Sequence, residues 1–105
     1  MKKIIMLMII ASMYQTTVKA AEGNAAEGNS ADGKRKAAAC VACHGAEGIS
    51  INPLWPNLAK QKPEYLVKQL TDFYDGKRND PVMSPMAKTL TEQDRKDIAA
   101  YFSSL

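Results

Sequence analysis

Apolar residues recur along this chain at helical spacing in two clear stretches. Tyr65, Leu66, Leu70, Phe73 and Tyr74 share one helix face. Pro63 suits a first-turn position and Gly76 a left-handed stop, so this helix is expected from beside Pro63 to about Asp75. Ile98, Tyr101, Phe102 and Leu105 repeat the spacing in a last helix starting at Thr91. Asp94, three residues on, is the acidic partner of a capping box. Ahead of both, Ala37, Ala38 and Ala39 favour a first helix from near Ser30 or Asp32 to about Cys40, with acids at the end the helix dipole favours. No stretch reads as a strand. The expected class is all-α, with three main helices and irregular loops.

The intervening segments are punctuated by breakers. Residues 45–62 hold Gly45, Gly48, Pro53 and Pro56, with Leu54, Trp55 and Leu58 as apolar positions expected to be buried. Residues 77–90 form a second expected loop, held extended by Pro81 and Pro85, the latter restricting Ser84. A five-residue repeat (AEGNA, AEGNS, ADGKR) covers residues 21–35 and matches neither helix nor strand period. Residues 21–29 are therefore expected to be a flexible tether, and residues 30–105 the domain.

Residues 1–20 have a different rhythm. Lys2 and Lys3 precede an apolar run from Ile4 to Met13, and Val18-Lys19-Ala20 offers small residues at a cleavage point. That run is too short for a bilayer, which takes about 20 residues. The expectation is a signal peptide removed after Ala20, export to the periplasm, and no membrane anchor after cleavage. This changes the charge picture. The full chain of 105 residues carries +3, but loss of Lys2, Lys3 and Lys19 leaves 11 basic and 11 acidic side chains. A general basic footprint for nucleic acid disappears with the leader.

The leader also takes four of the six methionines, leaving Met83 and Met86 beside one histidine, His44, and two cysteines. Cys40-Val41-Ala42-Cys43-His44 is C-x-x-C-H, the attachment sequence for c-type haem. Two thiols one helical turn apart each add to a vinyl group of one porphyrin, and the next residue places an imidazole beneath the iron. Other readings fit less well. Zinc needs a fourth ligand, and no further Cys or His exists. A thioredoxin-like pair belongs near a βαβ unit, and a plain disulfide leaves His44 unexplained. With one imidazole, bis-histidine ligation within the chain is excluded by count. The remaining soft donors for a sixth ligand are Met83 and Met86, and spacing does not choose between them.

At these residues the chain resembles the class I c-type cytochromes, and within them one domain of the periplasmic two-haem cytochromes c of the c-four subclass. The likeness covers about residues 30–105. It rests on Cys40 to Gly45, Asn52-Pro53-Leu54-Trp55-Pro56-Asn57-Leu58-Ala59, Tyr65 to Leu70, Gly76-Lys77-Arg78, Pro81 to Met86, and Asp97 to Phe102. The resemblance implies a small cytochrome c fold around one covalent haem c held by Cys40 and Cys43. It implies His44 and Met83 as axial iron ligands, with Met86 as the alternative. It implies that Pro53 accepts the other imidazole hydrogen bond through its carbonyl, and that Gly33 and Tyr101 lie where the first and last helices cross. Two departures stand out: there is no second C-x-x-C-H, and Lys60 occupies a position where the family more often has glycine.

The expected function is single-haem electron transfer between redox partners, not enzymatic catalysis. The partners implied are transient: a membrane or periplasmic donor, and an oxidase or reductase acceptor. Trp55 and Arg78 are candidates to bond haem propionates. The alternative is a haem-based sensor, or a redox-enzyme subunit, with an open sixth iron position.

Overall fold

The computed structural model describes residues 27–105, which form five helices and no strand. They are α1 (Ser30–Lys36), α2 (Ala38–His44), α3 (Pro63–Asp75), α4 (Met83–Lys88) and α5 (Glu92–Ser103). The leader and residues 21–26 lie outside the described residues. No helix among the described residues is long and apolar enough to cross a membrane.

The terminal signals of α3 and α5 act as their sequence predicts. Pro63 opens α3, and Gly76 ends it in the left-handed region (φ 78°). The Thr91 hydroxyl accepts from the Asp94 N–H while Asp94 accepts from the Thr91 N–H, closing the capping box of α5. The first helix differs from expectation. It breaks at Ala37, whose N–H still reaches the Gly33 carbonyl, and resumes as α2 through His44. Residues 27–29 are docked instead of free. The Asn29 side chain caps α1, its N–H donates to Asp97 Oδ1 at 2.8 Å, and Gly28 lies against the Lys96 backbone.

The loop expected over residues 77–90 contains α4, and Ser84 is helical despite preceding Pro85. Pro85 falls in the first turn, where backbone N–H groups have no intrahelical partner, so its missing donor costs little. Burial also departs from expectation between Gly48 and Leu58. Leu54 is 86% exposed and Trp55 43% exposed, and only Leu58 packs on the core. Leu54 sits at the tip of a tight turn closed by the Trp55 N–H on the Asn52 carbonyl, which directs it away from the helices.

The core joins Ala37, Leu66, Ile98, Ala99, Tyr101 and Phe102. Its centre is the crossing of α1 on α5, where Gly33 meets the Asp97 backbone and Tyr101, the two positions the resemblance singled out. A buried polar cluster ties this crossing together. The Asp97 carboxylate, 2% exposed, accepts from Asn29 N–H, Lys36 Nζ (2.6 Å) and Gln93 Nε2 (2.8 Å). Lys36 also reaches Asp94 at 2.9 Å.

Candidate functional site

Cys40, Cys43 and His44 occupy the last two turns of α2. Spacing of three places the two thiols one above the other on a helix face. Both are half-buried and free of a disulfide. Burial, with a smaller contribution from neighbouring Cys43, pushes the Cys40 thiol above its usual range.

His44 is buried, and its Nδ1 lies 2.7 Å from the Pro56 carbonyl oxygen. A carbonyl only accepts, so Nδ1 carries the proton and donates. In the tautomer that donates from Nδ1 alone, Nε2 keeps the bare lone pair an imidazole needs to bind a metal. The same hydrogen bond fixes the ring plane. Pro56 supplies this carbonyl in place of the expected Pro53. The Asn52–Trp55 turn throws Pro53 outward, and the chain returns to α2 only at Pro56.

The returning loop is laced in place. Leu58 and Ala59 N–H groups donate to the Gly48 carbonyl, Ser50 N–H donates to Asn57 Oδ1 at 2.7 Å, and Ser50 Oγ donates to the Cys43 carbonyl. Pro53 and Trp55 line an open cleft of about 430 Å³ together with Ile51 and Pro56. Arg78 is not among its walls. Its guanidinium stacks 4.5 Å from the Phe73 ring centroid and donates to Gln69 Oε1, on α3.

Met83 and Met86 lie one turn apart on α4, both half-buried. α4 packs on α3, and α2 touches α1, but α2 and α4 make no direct backbone contact. His44 and the thioethers therefore stand on elements held apart by the rest of the fold. Two residues that position this half of the molecule escaped the sequence reading. Asp80 binds the backbone at the start of α4, and its signal was present: Asp before Pro is a helix-start signature. Arg95 is 7% exposed and bonds the Leu90 carbonyl at 3.0 Å beneath the Tyr74 ring; nothing in the sequence separates it from the solvated charges beside it.

This donor set fits a covalently attached haem: two free thiols at helical spacing, an adjacent imidazole with a bare Nε2, and thioethers on a separate helix. The cytochrome c family model matches residues 30–105. The chain is 52% identical over 65 residues to cytochrome c4 of Thiocapsa roseopersicina, covering 62% of this chain and 33% of that one. It is 44% identical over 72 residues to cytochrome c-554(548) of Halomonas halodenitrificans, covering 66% of this chain and 87% of that one. The reduced cytochrome c4 structure from Pseudomonas stutzeri superposes with a TM-score of 0.70 at 43% identity, over 73% of this chain and 45% of that one. The chain thus spans a third to a half of its cytochrome c4 relatives. It belongs to the cytochrome c family, whose haem c is held covalently, here through the Cys40 and Cys43 pair.

Proposed function

We propose that this chain is a periplasmic single-haem electron carrier with His44 and Met83 as its axial ligands. The observation that supports the reading is the His44–Pro56 hydrogen bond, which occupies Nδ1 of the one imidazole in the sequence and so favours Nε2 as its ligand atom. When bound, haem c supplies a one-electron ferric/ferrous couple. The chain's residues do the rest. Cys40 and Cys43 anchor the group, and the Pro56 carbonyl raises the basicity of His44. Met83 would supply the second protein ligand to the iron and so leave no position there for a substrate. A thioether opposite an imidazole favours the ferrous state and raises the potential. Pro53 and Trp55 form part of the pocket wall. The single attachment motif and the near-complete span of the Halomonas relative support a one-haem unit. Partners are redox proteins met in small, transient complexes, and residues 1–20 act as the export signal.

The test is a pair of variants. Met83→Ala should leave the haem attached, abolish the near-infrared sulfur-to-iron band, lower the potential and open the sixth position to carbon monoxide. Met86→Ala should keep the band. Loss of the band in the Met86 variant alone reverses the assignment. A wild-type protein without the band, high-spin and rapidly binding carbon monoxide, refutes the carrier and favours a sensor or redox-enzyme subunit.

A further inference from the structure

We propose that Asp80 is the positioning residue that holds Met83 in place as an iron ligand, a role that rests on the ligand reading above. Its carboxylate accepts two backbone hydrogen bonds through one oxygen, from Val82 N–H at 2.8 Å and Met83 N–H at 2.8 Å. The contact is reciprocal. Asp80 N–H donates to Ser84 Oγ at 2.9 Å, and Ser84 N–H donates to the Asp80 carbonyl at 3.1 Å. Four hydrogen bonds thus close residues 80–84 into a clasp, and the backbone of Met83 lies inside it.

The clasp is selective between the two methionines. Met86 N–H makes a long bond to the Val82 carbonyl, 3.3 Å, and no side chain binds it. The far end of the segment is fixed separately, by fully buried Ala87 and by Arg95 on the Leu90 carbonyl. Val82, the formal cap of α4, makes no side-chain capping bond, so Asp80 does this work from two residues upstream. Pro81, in the turn ahead of α4, has no N–H to compete for the carboxylate, and its ring fixes its own φ.

The function of the clasp follows from the weakness of the donor. A thioether is a neutral, soft ligand that exogenous imidazole or cyanide displaces when its segment swings away. Fixing the Met83 backbone in advance removes that freedom before the bond forms, which is the general advantage of a preorganised site. The Asp80 carboxylate is engaged by backbone N–H groups, so it acts through Met83.

The experiment titrates purified holoprotein with imidazole, following loss of the sulfur-to-iron band, for wild type and four variants, and records the band of a fifth, Met83→Ala, before any imidazole is added. Asp80→Ala should bind imidazole roughly ten-fold more tightly, the size of a lost capping interaction. Asp80→Asn should match wild type, because an amide oxygen accepts the same two N–H groups. Ser84→Ala, which removes only the reciprocal bond, should shift affinity by about two- to three-fold and keeps the test alive if Asp80→Ala folds poorly. Gly76→Ala, which strains the left-handed stop of α3 and removes no bond of the clasp, should leave imidazole affinity unchanged. Wild-type affinity in Asp80→Ala overturns the clasp, as does an Asp80→Asn that behaves like Asp80→Ala. Met83→Ala separates the two readings: a band retained there overturns the ligand assignment itself, whereas a band lost there with unaltered Asp80→Ala overturns the clasp alone.

Discussion

Gly33→Ala should be among the most damaging single-methyl additions in this chain. A Cβ built at Gly33 falls 1.9 Å from the Asp97 carbonyl oxygen, 2.5 Å from its carbon and 2.9 Å from Tyr101 Cβ. Two of these atoms are backbone of α5, so no side-chain rotation relieves the clash. Relief needs α1 and α5 to separate by about 1 Å or more, since ordinary contacts lie near 3.5 Å. The same movement pulls Asn29 and Lys36 from Asp97, where the bonds are now 2.8 and 2.6 Å. Overpacking costs about 1–3 kcal/mol, and a weakened charge-assisted bond to a buried carboxylate adds about 1.5–3 kcal/mol. The expected loss is about 2.5–6 kcal/mol, or roughly 10–48 °C in Tm for a domain of this size. Thermal unfolding of holoprotein, followed by far-ultraviolet circular dichroism, measures it. Gly76→Ala is the control: nothing lies within 4 Å of its Cβ, so only the left-handed backbone (φ 78°) is penalised, by about 1–2 kcal/mol. A Gly33→Ala Tm as high as that of Gly76→Ala would refute the close crossing.

Asp97→Asn should cost about 2–4 kcal/mol in urea unfolding, because a buried carboxylate with three donors becomes an amide facing Lys36. The pH profile should follow the same cluster. Burial pushes the Asp97 carboxyl up, but the Asn29 N–H, Lys36 and Gln93 outweigh it and hold it below its usual range; Asp94 is lowered chiefly by Lys36. Their contribution is complete above the unfolded carboxyl value of about 3.9 and is lost as pH falls through the depressed folded values. Lys36, raised first by Asp97, contributes below about 10.4 and loses that contribution as pH rises through its folded value. Stability flat from neutrality down to pH 2 would contradict this. Lys60→Gly should be neutral or stabilising by up to about 1 kcal/mol, since Lys60 has φ 62° while its N–H to the Phe102 carbonyl is kept. Cys40→Ala with Cys43→Ala should abolish covalent haem and leave little cooperative unfolding, as so small a core rarely stands alone; a sharp haem-free transition would count against it.

What the sequence made legible was local. The face of α3, its Pro63 start and Gly76 stop, the Thr91 capping box and the C-x-x-C-H run each depend on residues within a few positions of one another, and each reads directly. Lys60 was visible as an oddity, and its positive φ is the reason glycine suits that position. What stayed hidden depended on distant partners. Pro53 and Pro56 are chemically identical in sequence, and only the turn at Asn52 decides which carbonyl meets His44. Asp97 and Arg95 sit in a run of alternating charges that reads as solvated, yet both are buried, because Lys36 of α1 pairs with one and Leu90 and Tyr74 receive the other. The Pro85 rule failed for a positional reason: a residue before proline avoids helix in general, but not where that proline completes the first turn.

The buried side of α5 also shows why these particular charges are inside. Asp97 binds α1, which continues through Ala37 into α2 and so to His44. Arg95, two residues away, binds the Leu90 carbonyl at the end of the segment that carries Met83. At the other end of the helix, the Phe102 carbonyl accepts from Lys60 N–H, anchoring the loop that has just delivered the Pro56 carbonyl to the imidazole. One helix thus holds, through directional bonds at three of its residues, the imidazole side, its hydrogen-bond acceptor and the thioether side. These directional bonds, two of the three sites using a buried charged side chain, add to close packing and restrict how the parts can shift. The buried polar side of α5 thus sets how the element carrying His44 and the segment carrying Met83 are spaced.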